Sequence, residues 1–200
     1  TIRLRNPPPE KMERFLDTML ADTERLNSLI SNFLMAAKLE QRPATAGLAV
    51  TDFSAFMEKS IQAFQQHLPE GNSLTCRIEL GISLKIDVEG MEMVLRNLLE
   101  NAFLYSTGSP EVQVELCRSG KNCILTVADN GRGIDGKELK NIFRMFYRVR
   151  TSGETIRGTG LGLYIVKSIV ERQKGSIRVT SDGPGRGSRF IITLPLQETS

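Results

Sequence analysis

Apolar residues recur at helical spacing from Glu10 to about Gln41: Met12, Phe15, Leu16, Met19, Leu20, Thr23, Leu26, Ile30, Phe33, Leu34 and Ala37 share one face. Glu13, Asp17, Asp22, Glu24 and Arg25 fill the other. Asn6-Pro7-Pro8-Pro9 breaks the chain just before, and proline suits a helix start because its missing N–H costs nothing there. Such a helix would run about 45 Å, too long for one compact domain. It reads as one arm of a coiled coil or hairpin bundle, the competing reading being an ordinary core helix. Arg42-Pro43 to Gly47 ends the arm. A second helix is predicted from about Asp52 to His67, with Thr51 as its cap. Strands follow at Ser73 to Leu80 and Leu84 to Asp87, then a strongly periodic helix from Val88 to Leu104. Val112 to Arg118 and Cys123 to Ala128 read as a hairpin around Ser119-Gly120-Lys121-Asn122. A loop-rich stretch leads to a helix at Leu161 to Gln173. Strands at Ser176 to Ser181 and Arg189 to Leu194, joined by the glycine-rich turn Asp182 to Gly187, finish the chain. Five or six strands with three helices predict an α+β fold, a two-layer sandwich with a mostly antiparallel sheet.

The chain has 200 residues, long enough for one domain with something added. A net charge of +3 is too mild to argue for nucleic acid or an anionic membrane. A hydrophobic share of 40% and a charged share of 24% exclude wholesale disorder. No apolar stretch approaches the roughly 18 residues of a membrane span, and none of these residues reads as a signal peptide. Because the chain opens at Thr1 in charged sequence, it is expected to be a piece of something longer. Cys76, Cys117 and Cys123 form no C-x-x-C, and His67 is the only histidine, so a zinc site fails. Cys117 and Cys123 flank the hairpin and could face each other across it; reduced thiols in a cytosolic sheet are the favoured reading.

Four segments carry candidate chemistry. Asn97 and Asn101 stand i, i+4 on the Val88–Leu104 helix, so both amides leave one face. Amide oxygens suit Mg²⁺ that also holds phosphate, and Glu100 beside them can orient a water or a metal-bound group. The plainer alternative is that these polar residues cap or bridge loops. Asp129 ends a strand before Gly131 and Gly133, where a carboxylate can accept from the exocyclic amine of adenine and would repel the carbonyl of guanine. The glycines would let the backbone approach a flat base, although Asp-Asn-Gly taken alone reads first as a plain turn. Gly158, Gly160, Leu161 and Gly162 directly precede a helix, whose free N–H groups could cradle polyphosphate. The segment is neither a Walker loop nor a Rossmann fingerprint. Val149 to Arg157, with Arg150, Ser152, Gly153 and Thr155, reads as a polar lid, and Arg148 ahead of it can neutralise phosphate.

In this combination and order, residues 88–195 resemble the catalytic ATP-binding domain of sensor histidine kinases, within the GHKL ATPase superfamily. The N box is Asn97 to Ser106, the G1 box Asp129-x-Gly131-x-Gly133, the F box Phe143 to Phe146 and the G2 box Gly158-x-Gly160-x-Gly162. Residues 1–42 resemble part of the dimerisation and histidine-phosphotransfer hairpin, and 43–200 the catalytic domain. The resemblance implies a Bergerat-type sandwich after a long coiled-coil-like helix, with ATP and Mg²⁺ bound. It also implies phosphoryl transfer to a histidine and on to a response-regulator aspartate, in a homodimer. Carried over by position, Asn101 is the Mg²⁺ ligand, with Asn97 and Glu100 in its neighbourhood. Asp129 binds the adenine amine, Tyr105 and Arg148 contact nucleotide, and Gly131, Gly133, Gly158, Gly160 and Gly162 make room for nucleotide and lid.

Two departures stand out. Leu104 occupies the place where the N box commonly has Lys or Arg, so a phosphate contact is missing or comes from Arg148 or Arg150. The phospho-acceptor motif is absent, since His67 is followed by Leu68-Pro69-Glu70 at the end of a helix. The acceptor is expected upstream of Thr1, in a parent whose cytoplasmic part this would be and whose membrane anchor, if any, also lies upstream. The rival functions are a non-catalytic ATP sensor or docking module, motivated by Leu104, and an ATP-hydrolysing relative with Glu100 as base.

Overall fold

The computed structural model describes residues 8, 11–20, 23, 26, 27, 30, 33, 34, 47–106, 108–149 and 159–196. Of the expected arm, residues 11–20 are helical, as are 23, 26, 27, 30, 33 and 34; its other positions lie outside the described residues. The carbonyl of Pro8 accepts from the N–H groups of Lys11 and Met12, the opening turn that the proline run predicts.

The order after the arm is β1 (Leu48–Asp52), α1 (Phe53–Gln65), β2 (Ser73–Ile78), β3 (Ser83–Asp87), α2 (Val88–Leu104), β4 (Glu111–Ser119), β5 (Asn122–Asp129), α3 (Gly162–Arg172), β6 (Ser176–Thr180) and β7 (Ser188–Pro195). Five strands form one sheet in the order β2-β4-β5-β7-β6, parallel between β2 and β4 and antiparallel elsewhere. A separate antiparallel pair joins β1 to β3. β1 was not predicted: Leu48 to Asp52 alternates weakly, and its pairing with β3 is a long-range contact that no local pattern announces. The cap of α1 is Asp52 rather than Thr51, with Asp52 Oδ1 accepting from Ala55 N–H at 3.0 Å. Asp87 caps α2 in the same way through Gly90 N–H.

Alternation on the strands puts Val112, Val114, Leu116, Leu125, Val127, Ile192 and Leu194 on one face of the sheet, all buried. The helices cover that face with Phe53, Met57 and Ile61 from α1, Met91, Val94, Leu95 and Leu98 from α2, and Ile165, Val166 and Ile169 from α3. Gly90 lets α2 come close to α3, since a Cβ there would stand 3.0 Å from Ile169 Cγ2. This two-layer arrangement is the predicted sandwich. Cys117 and Cys123 do not face each other. Cys117 is registered with Ile124 and Cys123 with Arg118, which sends the two thiols to opposite faces, and all three cysteines are free. No helix among the described residues is long and apolar enough to cross a membrane.

Candidate functional site

A cavity of about 290 Å³ opens between α2, the loop after β5, and the start of α3. One face of α2 supplies a row at i, i+4 and i+8: Asn97, Asn101 and, at the helix C-cap, Tyr105. Asn97 is buried; its Nδ2 donates to Met93 O at 2.9 Å and its Oδ1 lies against Gly162, where a Cβ would come within 2.5 Å. Asn97 therefore sets the distance between α2 and the start of α3. Asn101 is half-buried, and among the described residues its side-chain amide carries no hydrogen bond. Glu100 is exposed at the cavity mouth; the protein around its carboxyl raises its pKa by desolvation, and Arg96 opposes that.

Asp129 is the last residue of β5, registered opposite Ser188. Its Oδ1 accepts from Gly131 N–H at 2.8 Å and Ser188 N–H at 3.2 Å, and its Oδ2 accepts from the Ser188 hydroxyl at 2.5 Å. Four lone-pair positions on an ionised carboxylate leave acceptor capacity for a ligand donor. The neighbouring Asn130 plays the turn-forming part: its Nδ2 donates to Ser109 O and its Oδ1 accepts from Glu111 N–H.

The glycines after Asp129 serve the protein's own backbone. A Cβ on Gly131 would stand 2.6 Å from Tyr105 O, and one on Gly133, at φ +67°, 2.1 Å from Gly183 O. Gly133 lines the cavity, and both glycines also permit close approach to backbone of other segments, Gly131 to Tyr105 and Gly133 to the β6–β7 turn. Gly160, Gly162 and Arg148 also line the cavity. Leu161 points into the core at 2% exposure and contributes backbone only, its N–H donating to Thr159 Oγ1. No side chain caps α3, the arrangement in which N-terminal amides await an acceptor. Phe143 packs edge-on to Phe190, while Phe146 is exposed and donates its N–H to Gly160 O at 3.0 Å. Gly158, Arg150 and the rest of the expected lid lie outside the described residues.

Several wall residues escaped sequence reasoning. Ile134, Ile142, Leu163 and Phe190 give the cavity apolar sides suited to a flat ring. Ser188 is legible only through the β5–β7 register, and Arg132 only once its loop folds over Tyr105. Tyr147 also lines the cavity, its hydroxyl donating to Glu138 Oε2.

Residues 86–198 match the family model described as "Histidine kinase-, DNA gyrase B-, and HSP90-like ATPase". The sensor protein SrrB of Staphylococcus aureus is 32% identical over 194 residues, covering 95% of this chain and 33% of SrrB. The chain thus spans about a third of the curated relatives it matches. Among solved structures, the histidine kinase AdeS of Acinetobacter baumannii aligns with a TM-score of 0.69 at 24% identity, over 96% of this chain and 87% of AdeS. Full-length ShkA in complex with AMPPNP aligns with a TM-score of 0.75 at 21% identity, over 95% of this chain and 40% of ShkA.

Proposed function

Because this chain belongs to the family of histidine kinase-, DNA gyrase B- and HSP90-like ATPases, we propose that it is the ATP-binding catalytic portion of a sensor histidine kinase. Residues 43–200 form the catalytic domain in this reading, and 1–42 part of a dimerising, phosphotransferring hairpin. The observation that carries it is that two chemically different groups line one cavity. They are Asp129, with acceptor capacity to spare, and Asn101, whose side-chain amide makes no hydrogen bond among the described residues. ShkA, which shares the fold, was solved with AMPPNP, an adenine nucleotide analogue, which supports the same ligand class here.

Asp129 accepts from the exocyclic amine of adenine between the apolar walls, a charge-assisted bond that the carbonyl guanine carries at that ring position cannot make. The amides at the start of α3 and the guanidinium of Arg148 receive phosphate oxygens. Among the described residues no cluster of three His, Cys, Asp or Glu side chains could hold a metal, so a divalent ion would rest on Asn101 and on the phosphates themselves. Asn101 offers the hard, neutral oxygen that Mg²⁺ accepts, and Asn97 keeps α2 and α3 at the spacing this needs. When bound, Mg²⁺ neutralises phosphate charge and orients the terminal phosphate. In this reading Glu100, whose pKa desolvation raises, would accept a proton from the attacking group. Catalysis is then mostly positioning and charge neutralisation.

The acceptor would be a histidine outside this chain, and the phosphate would pass on to a response-regulator aspartate. The test is γ-phosphate label from Mg-ATP, offered to a version of the protein extended ahead of Thr1. Acid-labile label on a histidine is the expected result. ATP binding with no label would favour a non-catalytic nucleotide sensor, and hydrolysis without transfer an ATPase.

A further inference from the structure

The loop after β5 that carries Gly131, Gly133 and Ile134 is fastened from outside the cavity by the β6–β7 turn. Gly185 N–H donates to Arg132 O at 2.6 Å, and Gly187 N–H donates to Gly131 O at 3.0 Å. Neither Gly185 nor Gly187 lines the cavity. A side chain completes the attachment. Ser181, half-buried and the first residue past β6, donates its hydroxyl to Gly187 O at 2.6 Å and accepts from Ile134 N–H at 3.0 Å. Its second lone pair takes the Gly183 N–H at 3.4 Å, so the proton and both acceptor positions of the hydroxyl are used within loop and turn.

Both of the shorter bonds lead to the site. Ile134 lines the cavity, although Ser181 does not. Gly187 precedes Ser188, whose hydroxyl and N–H hold the two oxygens of Asp129. Close packing joins these parts as well. A Cβ on Gly187 would lie 2.0 Å from Asp129 O, and one on Gly133 would lie 2.1 Å from Gly183 O and 3.1 Å from the Ser181 hydroxyl oxygen. Backbone packed this tightly transmits a displacement of the turn to the loop and to the end of β5.

We propose that Ser181 is a positioning residue for base recognition: it pins the β6–β7 turn to the loop after β5 and so keeps Asp129 and the Ile134 wall in register. The inference rests on the ATP-binding reading, in which Asp129 takes the adenine amine. It adds a residue outside the cavity whose loss is felt in the choice of base.

The test is competition of ATP and GTP for the 200-residue chain and its Ser181→Ala and Ser181→Thr variants in Mg²⁺, with backbone amide exchange followed by NMR. Ser181→Ala is expected to raise the ATP Kd about fivefold to tenfold and to leave the GTP Kd nearly unchanged, so the preference for ATP falls by the same factor. The Ile134 amide should exchange faster in Ser181→Ala, and Ser181→Thr, which keeps the hydroxyl, should restore both readouts. A wild-type ATP-to-GTP ratio in Ser181→Ala, whether from no loss or from equal losses, would overturn the proposal and leave Ser181 a purely structural residue. Should Ser181→Ala not fold, the wild type decides. ATP is expected to slow amide exchange at Gly185 and Gly187, and unchanged exchange there would overturn the coupling of turn to site. A wild type that binds no ATP, or binds it no better than GTP, would overturn the base-reading premise itself, before any variant is compared.

Discussion

The Ser188 hydroxyl donates to Asp129 Oδ2 at 2.5 Å, and the Ser188 N–H donates to Oδ1 of the same carboxylate. One residue of β7 thereby fixes both oxygens of the carboxylate proposed to read the base. Removing the hydroxyl with Ser188→Ala should cost about 1.5 kcal/mol, roughly a tenfold rise in the ATP Kd. Asp129→Asn should go further and erase the preference for ATP over GTP, because an amide can donate to the guanine carbonyl. Competition binding of the two nucleotides checks both variants.

Gly187 closes the same corner. It sits at φ +67°, and a Cβ there would lie 2.0 Å from Asp129 O, whereas Gly120, at φ +59° in the β4–β5 turn, has nothing within 4 Å. Gly187→Ala is expected to lose more than about 3 kcal/mol of stability, through clash and strain together. Gly120→Ala carries the strain alone and should lose about 1 kcal/mol. Urea unfolding of the two variants separates them.

Thiol reactivity should follow burial. Desolvation pushes the Cys123 thiol up to about 12, and Cys117 is raised as well, again chiefly by desolvation. Cys76 is exposed. Iodoacetamide at pH near 8 should therefore label Cys76 first and leave Cys123 untouched until the protein is unfolded. Mass spectrometry of the native and denatured protein reads the order directly.

Glu100 gives a pH signature. Its folded-state pKa is raised above the ordinary 4.5, so the folded protein holds a proton that the unfolded chain releases earlier. Stability from this group is present below 4.5 and is lost as pH rises through the folded-state value. Glu100→Gln should remove that fall, leaving the variant with a shallower decline in melting temperature across the same interval. A parallel pair of curves would show that Glu100 does not titrate in this way.

Local pattern was enough for the elements with strong periodicity. α2 runs from Val88 to Leu104 as its apolar face predicts, and the β4–β5 hairpin turns at Gly120. Asn97, Asn101 and Asp129, each open alone to a plain capping or turn reading, were singled out by their combination with the glycine segments, and the fold brings all three to one cavity. What stayed hidden depends on contacts distant in sequence. β1 exists only by pairing with β3, and Ser188 meets Asp129 only through the register of β5 with β7. Arg132 reads as a solvated loop cation until Tyr105 is brought beneath it. Gly131 and Gly133 were legible as special positions, but their close approach to backbone atoms of other segments was not.

The central claim, that the cavity between α2 and α3 takes Mg-ATP through Asn101, is tested most directly by titrating ATP into the wild type and Asn101→Ala, each with Mg²⁺ and with chelator. The account predicts that chelator weakens binding to the wild type, and that Asn101→Ala binds weakly and alike in both conditions. Equal affinity of the two proteins, with the same response to Mg²⁺, would contradict it.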